Sequence, residues 1–357
     1  MYKNYFGLQQ APFKITPDTK LFFPGANRGA VLQALIYAVT NGEGITKVVG
    51  EVGSGKTMLC RMLENGLPDD VEVVYLANPS LTPDNVLHAI GFEMGLDVEP
   101  DDPHLKVMHK IQDYLVEQHS KGRRVVMFVE EAQSMPIPTL EEMRLLSNLE
   151  TEQEKLLQIV LFGQPELDEN LSQQQIRQLK ERITYSFNLA PLQEYEVRDY
   201  INTRMRTSGY QGMDLFNPKA IKVVWKHSKG LLRRINIIAD KACLAAFADN
   251  ARIITPKHAR VAIDDSDFAE MPNKKGKNSP LIPSLILLTL IGAAAAGWWF
   301  KAGYSLTVKN NKPVTKQEAL IQPEHSKDLK NDAFQQRQEN KEIPAWGNLD
   351  QGTSIPD

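Results

Sequence analysis

Two cysteines, Cys60 and Cys243, are all that this 357-residue chain contains. That is too few for a disulfide framework and fits a reducing compartment. No sign of charge dominates: 41 Lys and Arg face 44 Asp and Glu, a net of -3. A nucleic-acid surface would therefore need a local basic face, and the balance of charge along residues 1–268 shows no strong stripe. The seven histidines lack metal-ligand spacing, so no zinc site is expected. A mean hydropathy of -0.34 excludes a polytopic membrane protein. With 42% hydrophobic and 24% charged residues, collagen-like and wholly disordered chains are excluded as well. The opening, MYKNYFGLQQAPFKITPD, lacks the continuous apolar stretch of a secretory signal. The N-terminus is expected to stay in the cytoplasm.

Long apolar runs are absent with one exception, LIPSLILLTLIGAAAAGWWF, residues 281–300. It carries no charge over about 20 residues, the length that spans a bilayer core as a helix. Trp298 and Trp299 stand at one end, and Lys274, Lys275 and Lys277 precede the other. The run is expected to be a transmembrane helix with its N-terminal flank inside. Residues 269–280 form a linker, and the polar tail, 301–357, lacks the apolar content of a packed core and is expected to be disordered outside the cytoplasm.

Before residue 268, apolar runs alternate with amphipathic stretches. ITKVVG (45–50), VEVVYLA (71–77), RVVMFVEE (124–131) and LLQIVLFG (156–163) are apolar without alternation. Such strands, spaced by helices, predict a parallel sheet covered on both faces. After Pro191 the patterns are helical only. The expected architecture is an α/β core (1–190) and a small all-α lid (191–268).

Gly50-Glu51-Val52-Gly53-Ser54-Gly55-Lys56-Thr57 fits G-x-x-x-x-G-K-[ST] and lies between a strand and a helix. Its glycines let successive N–H groups point at a phosphate chain, which the following helix dipole favours. Lys56 would bridge the terminal phosphates of ATP, and Thr57 would place its hydroxyl on Mg²⁺. Such a site needs carboxylates at the end of a neighbouring strand. Glu130 is the candidate for the metal side and Glu131 for polarising the attacking water. On residue type alone the pair reads equally as two solvated carboxylates capping a strand. Gln164, after the next strand, can reach the γ-phosphate or the water, or be an ordinary loop residue. Arg177 and Arg182, in the Gln-rich and helical-looking LSQQQIRQLKERI, are candidates for a cation presented to a neighbouring subunit. Arg233 and Arg234, after Gly230, are candidates for a cation that folds over the nucleotide. For each arginine the plain alternative is a solvated side chain.

Taken together these residues resemble the AAA+ ATPases of the general secretion pathway protein A (ExeA) and MSHA pilus biogenesis (MshM) type. The similarity covers about residues 1–268. The opening is similar to that family's F-G-x-x-x-x-P-F-x-x-T-P-D start, which implies a path toward the adenine pocket. Glu130-Glu131-Ala132-Gln133 resembles its D-E-A-Q, and residues 144–151, RLLSNLET, match its L-R-L-L-S-N-L-E-T box. Gly163-Gln164-Pro165-Glu166-Leu167 matches its G-Q-P-E-L and implies that Gln164 is the sensor-1 residue. Glu181-Arg182-Ile183 resembles its Q-R-I and implies Arg182 as the finger. Gly230-Leu231-Leu232-Arg233 resembles its G-x-P-R sensor-2 box, with Leu232 in place of proline. Glu130 stands where the family has Asp, one methylene longer, which implies altered metal geometry and slower turnover.

The resemblance implies an ATPase that works as a homo-oligomer, a ring, anchored by one span in a bacterial inner membrane. Its partners would be pilus or secretion assembly proteins. Relatives of the ExeA type carry a peptidoglycan-binding domain after the span; the 57 residues here are too few and too polar for one, so peptidoglycan binding is not expected. Two other readings stand beside this one: a DNA-associated AAA+ regulator of the transposition type, and a nucleotide switch that does not hydrolyse.

Overall fold

The computed structural model describes residues 1–41 and 44–266. The apolar run 281–300, its linker and the tail lie outside the described residues. Among the described residues no helix is long and apolar enough to cross a membrane.

Five parallel strands form one sheet: β1 (Ile45–Gly50), β2 (Val71–Leu76), β3 (Arg124–Val129), β4 (Leu157–Gly163) and β5 (Ile183–Leu189). Their order is β2-β3-β4-β1-β5, so β1 lies between β4 and β5 near one edge. Val49 of β1 aligns with Gly163 of β4, and Gly50 with Leu189 of β5. The β1, β3 and β4 runs are mostly apolar because both faces are buried, with Lys47, Arg124 and Gln158 at their less buried positions. The sequence patterns above pass over β5, whose ITYSFNL alternates half-buried with exposed positions, as an edge strand does.

The helices, in chain order, are α1 (Tyr2–Tyr5), α2 (Arg28–Asn41), α3 (Lys56–Gly66), α4 (Pro83–Glu93), α5 (His104–Ser120), α6 (Ile137–Leu146), α7 (Glu166–Leu171), α8 (Arg177–Lys180), α9 (Glu194–Thr207), α10 (Pro218–Ser228), α11 (Leu232–Ala248) and α12 (Pro256–Asp264). One face of the sheet packs on α4 to α8; Val125, Met127, Ile159 and Leu161 meet Leu87, Ile111 and Met143 there. The other packs on α2 and α3 through Val48, Phe128 and Phe162 against Leu35, Leu59 and Leu63. The expected continuous helix across LSQQQIRQLKERI is broken into α7, a 3-10 turn at Gln174–Ile176 and α8. Arg182 lies past α8, directly before β5.

Helices α9 to α12 form the lid around a third apolar cluster of Val197, Ile221, Ile238 and Ala259. The N-terminal segment shares this cluster: Tyr2, Phe6, Leu8, Phe13 and Phe23 are buried in it. Buried Arg204 of α9 fixes the segment, donating from Nε to the Pro12 carbonyl at 2.6 Å and from its terminal nitrogens to the carbonyls of Leu21 and Lys14 at 3.3 Å. Arg204→Ala would leave these carbonyls short of donors and is expected to cost about 2–4 kcal/mol. A chemical-denaturation midpoint unchanged from wild type would contradict this role.

The sequence balance conceals one feature of the lid. Lys219, Lys222 and Lys226 are all exposed along one side of α10, while Ala220, Ile221, Val224 and Ser228 are buried. A basic stripe therefore exists where the charge balance along the chain gave no sign of a strong one.

Candidate nucleotide site

The phosphate loop joins the C-terminal end of β1 to α3. Gly53 and Gly55 take φ of 80° and 104°, left-handed values that side chains rarely adopt. Gly53 is also required by space, because a Cβ there would lie 2.7 Å from the Cβ of Arg233. Lys56 is buried, and its Nζ donates to the carbonyls of Gly50 at 2.7 Å and Glu51 at 3.2 Å. Burial pulls the ammonium below its ordinary range, against the upward pull of the Glu131, Glu51 and Glu130 carboxylates. Ser54 is buried beneath the loop, whereas Glu51 and Val52 are exposed on it.

Glu130 and Glu131 follow β3, next but one to β1 in the sheet. The Thr57 hydroxyl donates to Glu130 Oε2 at 2.8 Å. The longer side chain at this place thus reaches the loop hydroxyl. A hydroxyl and a carboxylate brought together are hard oxygen donors of the type Mg²⁺ takes, so Thr57 and Glu130 fit that ion. Glu131 takes left-handed backbone angles, with φ of 53°. Its Oε2 accepts from Gln133 Nε2 at 2.8 Å and from Gln164 Nε2 at 2.9 Å. Burial alone would raise the Glu131 carboxyl. Donation from the two glutamines and the Lys56 charge outweigh it and hold the group below the ordinary glutamate range. The Gln164 backbone N–H donates to Gln133 Oε1 at 3.0 Å. Gln133 thereby ties β3 to the end of β4. In the sequence nothing beyond its place in Glu130-Glu131-Ala132-Gln133 marks Gln133 for this role.

The lid closes the site from the other side. Gly230 has φ of 73°, and a Cβ there would lie 2.2 Å from the Leu192 carbonyl oxygen, so only glycine lets the α10–α11 turn pack this closely. That packing sets the start of α11 on the phosphate loop: the Arg233 amide donates to the Gly53 carbonyl at 3.1 Å. A cavity of about 300 Å³ runs between the loop, the lid and the N-terminal segment. Lys14, Ile15, Thr16 and Pro17 line it together with Lys56, Thr57, Glu131 and Arg233. Arg28, at the start of α2, is 4% exposed and also lines this cavity. Its Nη2 donates to the carbonyls of Ser54 and Ala190, both at 3.2 Å. One guanidinium thus braces the phosphate loop against the segment that leads into the lid. Nothing local in the sequence marked Arg28 for this.

Glu131, Gln164, Arg233, Thr57, Glu130 and the loop residues therefore converge, and Arg182 does not. Its neighbour Ile183 pairs with Ile45 at the N-terminal end of β1, while the phosphate loop starts at the C-terminal end. Six strand residues, about 20 Å, separate the two levels. Arg182 thus lies at the other end of the strands from its own site, where it adds to Lys155 in holding the Glu150 carboxyl below its ordinary range. Arg177 pairs with Glu181 at 3.0 Å on the same exposed surface.

The strand order, the loop and its two flanking carboxylates are those of a P-loop nucleotide-binding core. A family model described as an AAA domain matches residues 39–171. General secretion pathway protein A of Aeromonas hydrophila is 37% identical over 299 residues, 84% of this chain and 54% of that protein. The chain is an AAA-domain relative of general secretion pathway protein A. It spans about half the length of that relative. Among solved structures, the ORC2 protein of Aeropyrum pernix in ADPNP–ADP complexes aligns with a TM-score of 0.52 at 15% identity over 72% of each chain. Cdc6p of Pyrobaculum aerophilum aligns with 0.54 at 15% identity, over 70% of this chain and 71% of that one. These two likenesses show that core and lid share a fold with known structures.

In this AAA site the Gln164 contact has a measurable consequence. A Glu131 that takes a proton from water would have to be ionised, so hydrolysis would be present above its depressed pKa and lost as pH falls through it. Gln164→Leu removes one stabilising donor and is expected to move the acid limb of the ATP hydrolysis profile to higher pH as well as slow the reaction. A slower enzyme with an unmoved limb would contradict the contact.

Proposed function

We propose that this chain is a membrane-anchored AAA+ ATPase that binds and hydrolyses ATP to support assembly of a type IV-like (MSHA) pilus or of a secretin in type II secretion. The observation that carries the reading is the convergence of Lys56, Thr57, Glu130, Glu131 and Gln164 at one end of the sheet. The nucleotide lies between core and lid, with its phosphates on the loop amides and the Lys56 ammonium. Thr57 and Glu130 would hold Mg²⁺, which would supply neutralisation of phosphate charge. Glu131 accepts the proton of the attacking water, and Gln164 keeps Glu131 and that water aligned. Arg233, carried on the lid, senses the occupied loop. Arg182 supplies its charge to the next subunit's phosphate, which makes the working form a homo-oligomeric ring.

The pathway follows from likeness to general secretion pathway protein A, and the anchor from the apolar run at 281–300. The protein sits in the bacterial inner membrane with the ATPase in the cytoplasm and the tail in the periplasm. Deleting the gene in its host is expected to abolish surface pili or assembled secretin multimers, and the Lys56→Ala allele should fail to restore them. Normal amounts of both in the deletion strain would contradict this reading.

A further inference from the structure

Between Asp214 and Asp240 the chain carries six Lys and Arg and no Asp or Glu. Over residues 191–266, thirteen basic residues stand against eight acidic ones. Three of the basic residues, Lys219, Lys222 and Lys226, follow i, i+3, i+7 spacing on α10 and so share a face. All three are exposed, and Lys229, also exposed, follows directly after the helix. Three of the lid carboxylates are engaged elsewhere: Asp214 with Arg198, Asp249 with Lys257, and Asp265 with Lys241. Among the described residues Lys219, Lys222 and Lys226 form no ion pair. Like charges three and four positions apart on a helix repel and destabilise it by about 0.2–0.5 kcal/mol per pair. The repulsion is relieved when an external anion covers the face.

We propose that this lysine face of α10 docks on anionic phospholipid headgroups. Three observations select a bilayer as the occupant. The apolar run begins 15 positions after Ser266, and an extended chain of that length reaches about 50 Å, so an anchored lid stays within reach of the surface. Lys274, Lys275 and Lys277 stand shortly before that run in the sequence, and basic clusters beside a span are drawn to anionic lipid. The face is built from lysines, compact point charges on flexible stems, without the planar arginine forks that read base edges. The turn after α10 leads directly to Arg233 on the phosphate loop, so a lid held by lipid is held at the nucleotide site too. The tether argument rests on the anchored reading above; the charge argument does not.

The test uses the full chain with vesicles of phosphatidylcholine alone or mixed with phosphatidylglycerol. Amine labelling read by mass spectrometry is expected to be about fivefold slower at Lys219, Lys222 and Lys226 on the anionic vesicles. Exposed Lys180 of the core should be unchanged, and the protection should vanish near 0.5 M salt, where the Debye length falls to about 4 Å. Equal labelling on both vesicle types overturns the proposal. So does protection by duplex DNA on neutral vesicles without protection by anionic lipid, which assigns the face to nucleic acid. Flotation separates the anchor from the face. Binding to anionic vesicles only, lost when all three lysines are changed to glutamine, keeps the face and removes the anchor. Binding to neither vesicle removes both.

Discussion

Glu131→Gln is expected to lower the turnover number for ATP hydrolysis by about 10²–10⁴-fold while leaving nucleotide binding nearly intact. The amide keeps the size of the carboxylate and can still meet Gln133 and Gln164, so the cavity and loop keep their shape. It cannot accept the proton of the attacking water. Binding depends on the loop amides and Lys56, which the substitution does not touch. The expected signature is thus a collapsed turnover number with an unchanged dissociation constant for ATP. A parallel loss of binding would place Glu131 in ground-state recognition instead of chemistry.

Arg182→Ala is expected to cost about 10³-fold in turnover although the residue lies at the far end of the sheet from its own site. The distance makes the test sharp. An arginine that acts on the next subunit can be restored by a neighbour, and one that acts on its own fold cannot. Subunits with Arg182→Ala keep an intact catalytic end; subunits with Glu131→Gln keep an intact finger. Mixed at equal amounts, the two inactive proteins are expected to regain about a quarter of the wild-type rate, since one site in four then combines both intact parts. A mixture as inactive as its components would show that Arg182 does not work across an interface.

The sequence disclosed the parts of this protein that are local. Strands β1, β3 and β4 were visible because burial on both faces favours apolar runs, β2 because Val71, Val73, Val74 and Leu76 are apolar although it lies at an edge, and the phosphate loop because its backbone demands glycines at fixed places. Strand β5 was overlooked because an edge strand alternates, and ITYSFNL looks unremarkable beside VVMFV. The stretch with Arg177 and Arg182 suggested one helix from its Gln, Lys and Arg content. Packing of Leu171, Ile176 and Leu179 against the sheet breaks it into shorter turns. The long-range braces left no trace in the sequence. Arg28 meets Ser54 and Ala190, and Arg204 meets Pro12, Leu21 and Lys14, across intervals that no periodicity encodes. Charge was misjudged for a related reason. A stripe on one helix face is diluted when counted along the chain, and only the burial of Ile221 and Val224 shows that the lysines of α10 stand together.

The replacement of Asp by Glu at 130 was expected to disturb the metal side of the site. In the structure the added methylene carries the carboxylate to the Thr57 hydroxyl at 2.8 Å, so the pair that would face Mg²⁺ is formed with the longer side chain. A switch that only binds would use the same pair, and the reading proposed here is hydrolysis. Steady-state phosphate release by the wild-type chain, set against Lys56→Ala and Glu131→Gln under the same conditions, tests that conclusion most directly. The account predicts ATP-dependent release by wild type and at least about 100-fold less from either variant. Equal background rates from all three proteins would contradict it.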